Sequence, residues 1–117
     1  MEKRNEILEL SFDFALKIIE YTEILEEKRK YVIARQLLKS GTSIGANIRE
    51  AQNAHSRKDF VAKCIIAIKE ADETEYWLLL CSRSKNYPDP ETLLVEIVSL
   101  KKILSKIISS TIKNMKS

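Results

Sequence analysis

Glycine and proline together supply only 4 of the 117 residues, against about 12% in average usage. A β-sandwich needs more turn residues than that, and a phosphate-cradling loop needs more glycine, so the expected fold class is all-α. Long apolar runs are also missing. None approaches the ~20 residues of a membrane span, so no membrane contact is expected. Met1–Leu10 carries too much charge for a secretory leader. The length fits one domain, residues 1–117, and 44% hydrophobic with 32% charged residues is enough apolar material for a soluble core.

Reactive side chains are as scarce as turn residues. The two cysteines, Cys64 and Cys81, lie 17 positions apart in what reads as one helix. At ~1.5 Å per residue they sit roughly 25 Å apart, beyond disulfide reach. Both are expected to be core fillers in a reducing cytoplasm. His55 is the lone histidine, and no Glu-x-x-His repeat or cysteine–histidine cluster accompanies it. A di-metal bundle site, a zinc site and a catalytic triad therefore lack their ligands or partners. Glu70, Asp72, Glu73 and Glu75 scatter around a helix instead of converging. No enzyme activity, metal or cofactor is expected.

What is present is helical periodicity. Glu6–Glu27 carries Ile7/Leu8, Phe12, Phe14/Ala15, Ile18/Ile19, Tyr21 and Leu25 at helical spacing, followed by the basic connection Lys28-Arg29-Lys30. A second helix is expected over about Tyr31–Asn53, with Ile33, Leu37, Ile44, Ile48 and Ala51 on one side. Gly41 and Gly45 share one of its faces, where they permit close helix approach. Ser56-Arg57-Lys58-Asp59 has the form of a capping box and starts a third helix, fading near Ser82–Lys85, with Phe60, Val61, Cys64, Ile65, Ile68, Ala71 and Leu78 as its core stripe. After the turn at Asn86–Glu91, Asp89 caps a fourth helix whose first position is Pro90. That helix carries Leu93, Ile97, Leu100, Leu104, Ile107 and Thr111 on one face. Short connections between long helices predict an antiparallel up-down-up-down four-helix bundle.

The third helix is apolar on two sides. Ala62, Ile66, Tyr76, Trp77 and Leu80 project away from its core stripe, and Trp is a common interface anchor. Ile66, Tyr76 and Trp77 are the candidate subunit interface of a homo-oligomer. On helix two, Gln36, Ser40, Ser43, Asn47 and Glu50 form a polar stripe. Ser43, Asn47, Glu50 and Glu75 are the expected structural polar core. Glu50 is expected near the N-terminus of helix three, and Glu75 opposite Gln36 or Arg35, because a buried carboxylate needs a partner.

Charge is unevenly spread although the net value is only +3. Residues 1–27 carry 8 acidic and 3 basic side chains, and residues 28–69 carry 2 and 10. Residues 70–100 carry 7 and 2, and residues 101–117 carry 5 basic and no acidic ones. Arg35, Lys39 and Arg49 share the outer face of helix two, and Lys102, Lys106 and Lys113 that of helix four. The topology brings the start of helix three to the end of helix four. Arg49, Arg57, Lys58, Lys63, Lys106 and Lys113, with Arg35 and Lys39 second, are the candidate nucleic-acid contacts, acting on phosphates in a salt-dependent way. No aromatic stacking platform interleaves them. The alternative is a protein-docking scaffold on the acidic face of helix one, through Glu9, Asp13, Glu20 and Glu23.

The stretch Ser43-Ile44-Gly45-Ala46-Asn47-Ile48-Arg49-Glu50, followed by Ser56-Arg57-Lys58-Asp59-Phe60 and Ile68-Lys69-Glu70-Ala71-Asp72-Glu73-Thr74-Glu75, resembles a known family. It is similar to the bacterial four-helix-bundle proteins encoded in intervening sequences of 23S ribosomal RNA genes, often labelled ribosomal proteins. The likeness spans nearly the whole chain in helix layout and is most specific from Leu37 to Leu80. Many relatives have Gly where this chain has Ala51. The resemblance implies a ring-shaped homopentamer of formal charge +15, five times +3. It also implies similarity to the basic, nucleic-acid-binding accessory protein of diversity-generating retroelements. It implies no enzyme.

Overall fold

Four helices, α1 (Lys3–Glu27), α2 (Tyr31–Ala51), α3 (Arg57–Arg83) and α4 (Glu91–Met115), make up a computed structural model. The structure describes the backbone of residues 3–116 and the side chains of residues 6–116. Each helix packs on two others, α1 on α2 and α4, and α3 on α2 and α4. That is the antiparallel square bundle the short connections require, 52 Å long and 23 × 21 Å across.

Local chemistry sets the ends. Arg29 takes a left-handed φ of 63°, and the amides of Arg29 and Lys30 bond back to the carbonyls of Glu26 at 2.9 Å and Leu25 at 2.8 Å. This pair of bonds closes α1 as a Schellman motif. At the start of α3, Ser56 Oγ accepts the Asp59 amide at 3.0 Å, as the capping box predicts. The return bond reaches past Ser56, from the His55 amide to Asp59 Oδ2 at 3.4 Å. The fourth helix starts one residue later than its sequence signals suggest. Pro90 is the cap residue, and Asp89 stands outside the helix and accepts the Glu91 amide at 3.0 Å.

The six apolar and threonine positions expected on α4 are all buried, as are both free cysteines. Burial holds the Cys81 thiol above its ordinary value, which suits a packing role. The Tyr21 phenol, pushed up mainly by burial, donates to the Pro88 carbonyl at 2.6 Å and ties α1 to the loop before α4. Gly41 and Gly45 do permit close approach. A Cβ on Gly41 would lie 2.9 Å from Ile18 Cγ1, and one on Gly45 would lie 3.3 Å from the Ser11 carbonyl oxygen. Three expected core residues point elsewhere. Phe12 is 59% exposed, and Ile19 and Ile65 are also exposed, because each lies more than a quarter-turn from the centre of its helix's buried stripe.

The polar core is arranged differently from its sequence reading. Ser43 and Asn47 are half-buried and bond within α2, to the Lys39 and Ser43 carbonyls. Glu50 is exposed and reaches Lys63 at 3.0 Å, leaving the amides at the start of α3 to Ser56 and Asp59. Glu75 faces α4, where Lys101 bridges it at 2.7 Å and Asp72 at 2.6 Å. Thr74, one position earlier, takes the α2 side instead and meets Ser40 at 2.9 Å. A step of 100° along α3 exchanges one neighbouring helix for the other.

Candidate nucleic-acid interface

The antiparallel crossing brings the first turn of α3 against the last turn of α4. Arg57 Nη1 donates to the Asn114 carbonyl at 3.4 Å, near the negative end of the α4 dipole. Lys58 and Lys113 are exposed at the same end of the bundle. From there Lys113, Lys106 and Lys102 run along the outside of α4, all exposed, with Ser99, Ser105 and Ser109 between and beside them. After Glu96 the sequence holds no acidic residue.

Arg35, Lys39 and Arg49 are likewise exposed along α2. They do not join the α4 cations in one patch. Among the described residues α2 and α4 make no direct packing contact; they are diagonal in the bundle, and their outer faces look in opposite directions. The single basic end expected from sequence is therefore two surfaces, one along α4 and the end of the bundle, the other along α2. Lys63 belongs with the second and is tied to Glu50, whose carboxylate holds the ammonium above its usual value. Among the described residues none of Arg35, Lys39, Arg49, Arg57, Lys58, Lys106 or Lys113 forms a salt bridge.

The residues expected at a subunit interface divide. Ile66 and Tyr76 are 43% and 56% exposed. Trp77 is half-buried against its own core, donates Nε1 to a Glu73 carboxylate oxygen at 3.1 Å, and stands edge-on to Tyr76 with ring centroids 5.2 Å apart. Sequence reasoning missed a second apolar surface. Between the outer faces of α1 and α2 runs a groove of about 700 Å³, with Phe12, Leu16 and Ile19 along one wall and Thr42, Gly45 and Ala46 along the other. Glu9 and Asp13 rim the α1 side and Arg49 the α2 side. Its signal in the sequence is the pair of small residues at positions 45 and 46 facing a helix with too many apolar positions for one core.

Among the described residues no group of His, Cys, Asp and Glu is placed to hold a metal ion, and no helix is long and apolar enough to cross a membrane. The arrangement offers cationic surfaces with hydroxyl donors beside them, and apolar faces suited to protein contact.

Comparison with known proteins finds a match over residues 3–108 to the profile described as "23S rRNA-intervening sequence protein". A solved structure from Bacteroides thetaiotaomicron VPI-5482, a protein of unknown function from the S23 ribosomal protein family, superposes with a TM-score of 0.87 at 42% identity. The superposition covers 92% of this chain and 99% of that one. No curated protein matches the sequence.

Proposed function

The chain belongs to the 23S rRNA-intervening sequence protein family, and from that premise we propose that it is a non-enzymatic helical bundle that assembles as a pentamer and holds structured RNA or DNA by its phosphates in the bacterial cytoplasm. The observation that carries this is the outer face of α4. There Lys102, Lys106 and Lys113 stand exposed, continuous with Arg57 and Lys58 at the bundle end. Ammonium groups without carboxylate partners release counterions when they meet phosphates, and serine hydroxyls beside them are ordinary phosphate donors. A chain of +3 has a weak field alone, and symmetric assembly repeats the stripe and multiplies it.

The test is solution mass, followed by titration of RNA and duplex DNA at about 50 and 200 mM salt. Binding by an assembled species that weakens steeply with salt, and that Lys106→Glu with Lys113→Glu reduces, is the expected result. Each lost phosphate contact lowers the salt slope by about 0.9 for duplex DNA. The second reading is a protein-docking scaffold, favoured by the exposed acids Glu9, Asp13, Glu20 and Glu23 beside an apolar groove. It predicts little nucleic-acid affinity at either salt concentration.

A further inference from the structure

On the flank of α4 that turns toward α3, Val98, Lys101, Lys102 and Ser105 recur at i, i+3, i+4 and i+7, one face of the helix. With Glu75 of α3 they line a hollow of about 460 Å³. Lys102 belongs to the cationic stripe of α4, so the hollow adjoins that stripe. Three of its polar groups have bonding capacity to spare. Lys102 forms no salt bridge among the described residues. The Ser105 hydroxyl has no hydrogen bond there either, whereas those of Thr42, Ser43, Ser82 and Thr111 bond back to a carbonyl three or four residues earlier. Lys101 takes one oxygen of each carboxylate it meets, Asp72 Oδ1 at 2.6 Å and Glu75 Oε1 at 2.7 Å. Glu75 keeps its second oxygen as an acceptor on the wall of the hollow, while Asp72 is 62% exposed and does not line it.

A carboxylate repels phosphate, so a hollow shaped for phosphate alone would not carry one. What a carboxylate does is accept hydrogen bonds. Its place beside Lys102 and Ser105 calls for a ligand with a hydroxyl next to a phosphate. Within a nucleic-acid strand that hydroxyl is the ribose 2′-OH, which DNA lacks.

We propose that the hollow between α3 and α4 is a ribose-phosphate site, and that it makes the protein prefer RNA to DNA. This rests on the nucleic-acid reading above and names which polymer the α4 surface takes. Lys102, exposed on the outside of α4, and Ser105 hold the phosphate at the mouth. Glu75, half-buried on the α3 wall, accepts the hydrogen bond that the 2′-OH donates. Lys101 acts through Glu75 as a positioning residue. It fixes the carboxylate and offsets its charge, so the acceptor can stand near a phosphate without expelling it. Val98 supplies an apolar surface for the carbon side of the sugar.

Fluorescence anisotropy on the full chain tests this, with one hairpin sequence made as RNA, as DNA and as 2′-O-methyl RNA. RNA should bind about 3- to 10-fold tighter than DNA, the range that one hydrogen bond supplies. The 2′-O-methyl strand keeps the RNA helix form but has no proton to donate, so it should bind like DNA. Glu75→Ala should bring the RNA affinity to that of DNA. A merely structural loss would lower both and keep their ratio. Should Glu75→Ala lose helicity by circular dichroism, the 2′-O-methyl comparison on the unaltered chain decides by itself. Failure to bind any of the three polymers overturns this inference and the nucleic-acid reading together. Salt-dependent binding that is equal for RNA and DNA overturns this inference alone. So does an RNA preference that survives Glu75→Ala or the 2′-O-methyl group.

Discussion

The hydroxyls of Ser40 on α2 and Thr74 on α3 meet at 2.9 Å, and neither residue has any exposed surface. Thr74 Oγ1 also lies 2.8 Å from the Glu70 carbonyl. A carbonyl only accepts, so Thr74 donates to Glu70 and Ser40 supplies the proton between the two hydroxyls. One bond between side chains therefore fixes the register of α2 on α3, while the surrounding contacts are apolar and more tolerant of sliding.

Removing one partner of that pair leaves the other buried without one. Thr74→Val should destabilise the fold by about 1–3 kcal/mol, and Ser40→Ala by a similar or smaller amount. The double variant should cost less than the two together. Denaturant unfolding of the four proteins gives the coupling directly, and additive losses would show that the bond contributes nothing beyond packing.

Arg29 occupies a position that glycine prefers. Its φ of 63° is required by the bonds that close α1, and an L side chain there is strained. Arg29→Gly should raise stability by about 0.5–1 kcal/mol, because relief of that strain outweighs the added freedom of the unfolded chain. A higher thermal midpoint with unchanged helical content is the expected outcome.

Glu50 places a carboxylate on the α2 side of the candidate interface and holds Lys63 at 3.0 Å. If that surface meets phosphates, Glu50→Gln frees one cation and removes one repulsion. RNA affinity should rise modestly, and the salt slope should steepen by up to about 0.7, the value for one contact to a single strand. Unchanged binding would assign the α2 surface no part in nucleic-acid contact.

Alkali should unfold the protein in stages. Burial raises the Cys81 thiol above 9.0 and the Tyr21 phenol above 10.0, and the hydrogen bonds that Lys101 donates to Asp72 and Glu75 raise its ammonium above 10.5. In each case the folded chain holds its proton more tightly than the unfolded chain. That stability is complete below pH 9 and falls as pH climbs through 9 and beyond 10.5. Thermal midpoints measured from pH 8 to 11 should decline accordingly. Tyr21→Phe should flatten part of the decline, while losing about 1 kcal/mol at neutral pH with the bond to Pro88.

Much of the fold was legible because helices announce themselves locally. A 3.6-residue apolar period, a serine cap at position 56 and the Asn86–Pro90 turn lie within a few residues of the structures they specify. The four-helix order followed, and so did the closeness of Arg57 to the end of α4. Burial of Leu93, Ile97, Leu100, Leu104, Ile107 and Thr111 was legible for the same reason. The candidate interface was read less well. Its cations were identified one by one, but their division between α2 and α4 was not.

Sequence alone determined which stripe of each helix is apolar and where each helix stops, since both depend on neighbours along the chain. Only the tertiary structure decided what lies on either side of that stripe. Glu75 turned to Lys101 rather than to α2, Thr74 took Ser40, Phe12 was left in an open groove, and Arg49 was parted from Lys113 by the width of the bundle. The physical reason is angular. Periodicity locates the centre of a buried face, but a residue 50–100° from that centre meets the left neighbour, the right neighbour or solvent according to how the helices are arranged. Those flanking positions hold the polar pairs of the bundle and the charged rims of its surfaces.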